Sequence, residues 1–122
     1  MSKLILIVED TIDLLKNIIE TFKMESYEVL SAVDGKEALV ILSKSNPDLI
    51  ITDLMMPEMN GFDFIRIVRE NIQWNKIPIL VFSAMPPLET ESIVMASGAN
   101  SFLKKPCTVE KLLEVVSDLT KS

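Results

Sequence analysis

Hydrophobic positions along the chain follow two alternating rhythms. Leu4-Ile-Leu-Ile-Val8 is an unbroken apolar run that ends in Glu9-Asp10, which predicts a strand buried on both faces. Leu15, Ile18, Ile19 and Phe22 then recur at helical spacing, as an amphipathic helix requires. Tyr27 to Ala32 is a weaker, partly alternating strand. Asp34-Gly-Lys-Glu37 has the spacing of a capping box and opens a helix through about Ser43. The second strong run is Asp48-Leu-Ile-Ile-Thr-Asp53, and after a loop holding Pro57 and Asn60-Gly61, Phe64, Ile65 and Val68 predict a third helix. Ile77-Pro-Ile-Leu-Val-Phe82 reads as another strand, with its proline near the start where the lost N–H matters least. Leu88 to Ser97 follows as a helix that Gly98 suits as a C-terminal cap. Ser101 to Leu103 is a short strand, and beyond Pro106 the residues Val109, Leu112, Leu113 and Val116 mark one face of a last helix.

This alternation is (βα)5, an α/β domain with a doubly wound parallel sheet covered by helices on both sides. The continuous runs, strands one, three and four, belong in the middle, and the shorter or more polar strands two and five at the edges. Right-handed crossovers then favour a five-stranded sheet of order 2-1-3-4-5. The order reverses between strands one and three, and ligands bind beyond the C-terminal ends of strands at such a point. Glu9, Asp10 and Asp53 stand at those two ends.

Composition narrows the function. The 122 residues are the size of one domain, taken here as 1–122, and at 48% hydrophobic they can fill a core unaided. The first apolar run is five residues long, far short of the roughly 20 that a membrane helix needs, so no membrane association is expected. A lone Cys107 implies no disulfide and no oxidising compartment, which makes the cytoplasm the expected location. A net charge of -6 argues against direct nucleic-acid binding. The chain has no histidine, which excludes a His-dependent triad and the commonest zinc ligand.

Three carboxylates at one crevice need a counter-charge. Two of them about 4 Å apart repel by roughly 4 kcal/mol at an effective dielectric of 20, and a hard cation such as Mg²⁺, bound by oxygen ligands, resolves the conflict. Relieving the crowding by Asp10→Asn or Asp53→Asn is therefore expected to stabilise the metal-free protein. Asp10 taken alone is equally a favoured N-cap for the first helix. Ser83, ending the fourth strand, and Lys105, following the fifth, project toward the same crevice, where a hydroxyl and an ammonium suit a metal-bound phosphoryl group. Singly, a Ser after a strand caps or turns and a loop Lys is commonly just solvated.

Taken in order, Leu6-Ile-Val-Glu-Asp10, Asp53-Leu-Met-Met-Pro57, Asn60-Gly61, Ser83-Ala84, Gly98-Ala99 and Lys105-Pro106 resemble the receiver domains of two-component response regulators, the CheY-like family, over the whole length. The spacings agree too, thirty residues from Asp53 to Ser83 and twenty-two from Ser83 to Lys105. The resemblance implies a flavodoxin-like fold and a phosphorylation-controlled signalling switch. In it Asp53 is the phospho-acceptor, and Glu9, Asp10, Asp53 and the carbonyl of Met55 serve Mg²⁺. Asp10 is then the direct ligand, and Glu9 acts through water. Ser83 and Lys105 contact the phosphoryl group, Lys105 being selected over Lys104 by Pro106 and the spacing. A cis bond before Pro106 is usual in the family.

Ser83 and Phe102 correspond to the switch pair, although an edge-strand core residue would look no different from Phe102. Cys107 stands where the family commonly has Phe, as a small apolar filler. Met55 and Met85 correspond to the positions flanking the hydrolytic water, and being apolar they imply slow loss of the phosphoryl group. The implied partners are a sensor histidine kinase or histidine phosphotransfer protein as donor, and a downstream protein reading the surface of the fourth helix, fifth strand and fifth helix. An aspartyl-phosphate phosphatase would need a second Asp where Met55 stands. A receiver-like module deaf to phosphorylation would typically lack the acceptor, the acidic pair or the lysine, so a non-enzymatic switch is expected.

Overall fold

Ten elements alternate along the chain: β1 (Leu4–Val8), α1 (Ile12–Met24), β2 (Glu28–Ala32), α2 (Gly35–Leu42), β3 (Leu49–Thr52), α3 (Gly61–Glu70), β4 (Ile79–Ser83), α4 (Pro87–Ser97), β5 (Ser101–Lys104) and α5 (Val109–Thr120). They are seen in a computed structural model that describes residues 2–84 and 87–121, with the side chains of 87–90 left aside. The five strands are parallel and ordered β2-β1-β3-β4-β5, as the alternation predicts. Strands β3 and β4 are buried throughout and β1 at all but its first residue, whereas β2 and β5 form the half-covered edges.

The pleat divides the core into two layers. Leu6, Val8, Ile50, Ile79 and Val81 pack beneath α2, α3 and α4 with Ala38, Leu42, Phe64, Ile65, Val68 and Val94. Ile5, Ile7, Leu49, Ile51, Leu80, Phe82 and Leu103 pack beneath α1 and α5 with Leu15, Ile18, Phe22, Leu112 and Val116. The helices start where polar side chains take up orphan amides. Asp34 accepts from the amide of Glu37 at 2.8 Å, Asn60 from Asp63 at 2.9 Å and Thr108 from Lys111 at 3.1 Å. Pro87 opens α4 one residue before the expected start, at a position where proline's fixed φ is helical. Strand β4 begins at Ile79, two residues later than the apolar run suggests. The amide of Ile77 closes a turn on the Trp74 carbonyl at 3.0 Å, and Pro78 adds to the ladder only by accepting from Ile50 at 3.0 Å.

One side chain fastens the far end of the sheet. Arg69 near the end of α3 donates through Nε to the Gly98 carbonyl at 2.8 Å and through Nη1 to the Asn75 and Ile77 carbonyls at 3.2 and 2.8 Å. Its Nη2 reaches Asn100 Oδ1 at 2.8 Å. Burial lowers its pKa from the ordinary value without removing its charge. Gly98, at φ +118°, leaves room for it, since a Cβ there would lie 2.8 Å from Arg69 Cγ. Among the described residues no helix is long and apolar enough to cross a membrane.

Gly61, the first residue of α3, packs against the backbone of Asp53 and Leu54 just beyond β3. A Cβ on it would sit 2.5 Å from the Asp53 carbonyl oxygen and 2.7 Å from Leu54 Cα, both backbone atoms. Gly61→Ala must therefore shift one segment or the other, an overpacking that costs about 1–3 kcal/mol. A urea midpoint lowered at constant slope is the expected result, and an unchanged midpoint would contradict the close approach.

Candidate functional site

The alternation that sorts the core also aims the charges. In β1, Ile5 and Ile7 face α1 and α5, and in β3, Leu49 and Ile51 do the same. Continued past each strand end, that alternation carries Glu9 and Asp53 to the same side, and past Leu103 it carries Lys105 there too. Adjacent pairing in the parallel ladder, with Val8 opposite Thr52, places Glu9 beside Asp53. The Glu9 amide donates to Ala32 at 2.9 Å and the Asp53 amide to Val8 at 3.2 Å, so both residues are held as extensions of the sheet.

Lys105 bridges the pair. Its Nζ lies 2.6 Å from Glu9 Oε1 and 2.7 Å from Asp53 Oδ2. The other oxygens have partners as well. Asp53 Oδ1 accepts from the amides of Leu54 at 2.6 Å and Met55 at 3.3 Å, and Glu9 Oε2 accepts from the amide of Thr11 at 3.1 Å. Glu9 and Asp53 are only 2% and 8% exposed, which makes these bonds necessary, because a buried carboxylate without partners is costly. Burial depresses the Lys105 pKa, but hydrogen bonds and attraction from Asp53 and Glu9 outweigh it and leave the value raised above 10.5. The stabilisation from this pairing is thus complete below the unfolded value and lost only as pH rises through the higher folded one. At neutral pH the ammonium is a fixed charge.

Asp10 joins from the exposed rim. Carboxylate oxygens of Glu9, Asp10 and Asp53 all lie within 4.8 Å of one another. The N-cap position of α1 is Thr11, with no side-chain bond to the helix, so Asp10 is not its N-cap. Three carboxylates and one ammonium leave a charge of -2 at the crevice, which a single hard divalent cation would balance.

Ser83 is fully buried at the end of β4, and its carbonyl accepts from the Lys105 amide at 2.8 Å. A cleft of about 350 Å³ is lined by Asp53, Met55, Ser83 and Ala84, with Met55 66% exposed. A larger cavity of about 450 Å³, lined by Ser2, Lys3, Glu25, Ser26 and Tyr27, lies at the opposite end of the strands, away from the carboxylate cluster. Phe102 is partly buried against the α2–α3–α4 layer, and it lies opposite Val81 in the ladder. Lys104 pairs with Ser83 and is exposed, while Lys105 turns inward. The Lys105–Pro106 peptide bond is cis. Cys107 packs against the α1–α5 layer, and burial raises its thiol pKa although Lys111 pulls the other way. Met85 lies outside the described residues.

Residues 5–117 match the family model of the response regulator receiver domain. The chain belongs to that family. It is 37% identical over 115 residues to the sensor histidine kinase TmoS of Ectopseudomonas mendocina, covering 94% of this chain and 12% of that protein. With the response regulator PleD of Caulobacter vibrioides it shares 33% identity over 121 residues, covering 99% of this chain and 27% of PleD. The chain therefore spans about an eighth to a quarter of these two relatives. The solved structure of the chemotaxis response regulator CheY4 of Vibrio cholerae superposes with a TM-score of 0.92 at 34% identity, covering 98% of this chain and 99% of that one. The expected fold and family are thereby established, and with them a place in phosphorylation-controlled two-component signalling.

Four contacts of this receiver domain escape the motif pattern. These are the amides of Leu54 and Met55 on Asp53, the Thr52 hydroxyl donating to the Asp53 carbonyl at 2.9 Å, and the Phe82 ring beneath Lys105. Only the last could have been read from the chain, from the position of Phe82 in the strand alternation.

The lysine bridge also changes one expectation. Asp53 is not simply crowded, because Lys105 already offsets part of the repulsion. Asp10→Asn should stabilise the metal-free protein by about 0.5–1 kcal/mol, a rim charge being well screened. Asp53→Asn should lower stability by about 1–3 kcal/mol, since it leaves the buried end of the ion pair short of a partner. Urea unfolding in a chelator checks both, and a stabilised Asp53→Asn variant would contradict the bridge.

Proposed function

We propose that Asp53 is the phospho-acceptor of this receiver domain and that phosphorylation there changes a protein-binding surface. The observation that carries it is the setting of the Asp53 carboxylate. Two backbone amides and the Lys105 ammonium hold it, and the oxygens of Glu9 and Asp10 lie within reach of the same point. An oxygen of Asp53 forms the new bond to phosphorus while the P–N bond of a phosphohistidine breaks. The electron pair returns to the imidazole nitrogen of the donor, a sensor histidine kinase or phosphotransfer protein. Fixed donors aimed at the phosphoryl oxygens lower the barrier because they need no reorganisation as charge shifts.

The acidic cluster fits Mg²⁺, which Asp10, Asp53 and the Met55 carbonyl would hold directly and Glu9 would hold through water. When bound, the ion supplies charge neutralisation at the phosphoryl oxygens. Lys105 then exchanges its contact with Asp53 Oδ2 for a phosphoryl oxygen while keeping Glu9, and the Ser83 hydroxyl donates to another. Ser83 and Phe102 both face the α2–α3–α4 side of the sheet, so a move of Ser83 toward the phosphoryl group opens space into which Phe102 can turn. That coupling would bias the α4–β5–α5 surface toward or away from a downstream partner. Phosphorylation is self-assisted, without a separate small-molecule substrate. With apolar Met55 at the cleft rim, the phosphoryl group is lost slowly. The net charge of -6 fits a protein partner better than direct contact with nucleic acid, and the cytoplasm is where such donors present their phosphohistidines.

The test is intact-mass spectrometry after incubation with Mg²⁺ and a small phosphodonor. The parent should gain one phosphoryl group and Asp53→Asn none. Equal labelling of the variant would move the acceptor elsewhere.

A further inference from the structure

Phe82 occupies the last α1–α5-facing position of β4, directly before Ser83. The residue is 6% exposed, and the Lys105 Nζ stands over its ring at 5.4 Å from the centroid. That is inside the roughly 6 Å over which a ring face attracts a cation. The ring and the lysine also share the wall of one depression with Leu14, Pro106 and Cys107. The ammonium is thus enclosed on two sides by carboxylates and on a third by the face of an aromatic ring.

We propose that Phe82 is a positioning residue for Lys105, holding the ammonium over the acceptor during phosphoryl transfer. This rests on the assignment of Asp53 as acceptor. In the free protein, Glu9 and Asp53 hold Lys105 by hydrogen bonds of 2.6 and 2.7 Å, and the ring adds little that they do not supply. As an Asp53 oxygen becomes bonded to phosphorus, that carboxylate loses charge and its hold on the ammonium weakens. The attraction of the ring depends on no particular hydrogen bond, so it persists while the ammonium changes partner. While the hydrogen bonds are exchanged the ring keeps the ammonium oriented toward the phosphoryl oxygens, so less orientational freedom has to be lost in reaching the transition state. An aliphatic residue of similar volume would fill the core equally well and would leave the four-carbon stem free to swing toward solvent.

Trifluorophenylalanine at position 82 tests this, because fluorine draws charge from the ring face and changes its volume little. Phosphorylation by phosphoramidate in Mg²⁺, followed by intact mass, should be about fivefold slower with the fluorinated ring and slower again in Phe82→Leu. The melting temperature of the fluorinated protein should stay at that of the parent. In a Lys105→Met background, fluorination should leave the residual rate unchanged. If the parent takes up label on Asp53 but the rate is flat from Phe to trifluorophenylalanine, the inference is overturned and the acceptor assignment stands. A fluorine effect that persists without Lys105 would overturn it equally. If the parent takes up no label on Asp53, the acceptor assignment itself fails.

Discussion

A single ammonium, that of Lys105, holds together the C-terminal ends of three strands. Glu9 follows β1, Asp53 follows β3 and Lys105 follows β5, and their side chains meet within 2.7 Å. The carboxylates are nearly inaccessible to water, where a charge needs a fixed partner to offset its lost hydration. The lysine makes that burial possible, and the burial gives the crevice its strong field. Its charge remains incomplete at -2, which fits the site for a divalent cation instead of closing it into an inert ion pair.

Everything beneath the crevice can be seen as support for that geometry. The two-layer core keeps the pleat in register, so that Glu9, Asp53 and Phe82 share a side and Ser83 and Phe102 take the other. A slip of one residue in β1 or β3 would send a carboxylate to the wrong face. Gly61 brings α3 against the Asp53 backbone, and Arg69 ties the opposite end of α3 to the turn before β5. The strand that delivers Lys105 is therefore anchored to the helix that braces Asp53.

Much of this was legible in the chain, for definite reasons. The runs at Leu4–Val8, Asp48–Asp53 and Ile77–Phe82 are apolar because both faces are covered, and that property marks central strands in any doubly wound sheet. Glu9, Asp10, Asp53, Ser83 and Lys105 were legible because each sits at a strand end, where topology alone brings them to one place. Other features depend on contacts between distant segments that no local pattern records. Arg69 looks like a solvated helix charge until Gly98, Asn75, Ile77 and Asn100 are seen to converge on it. The bridge from Lys105 to two carboxylates was hidden for the same reason, and with it the different fates of Asp10 and Asp53. Thr11, and not Asp10, stands at the N-cap position of α1.

The lysine bridge is tested most directly by a double-mutant cycle on folding stability. Asp53→Asn, Lys105→Met and the pair of substitutions together would be unfolded in urea with a chelator present. A direct, part-buried contact predicts a coupling energy of about 1–3 kcal/mol between the two positions. Additivity within about 0.3 kcal/mol would mean that the ammonium does not hold Asp53, and the account built on it would fail.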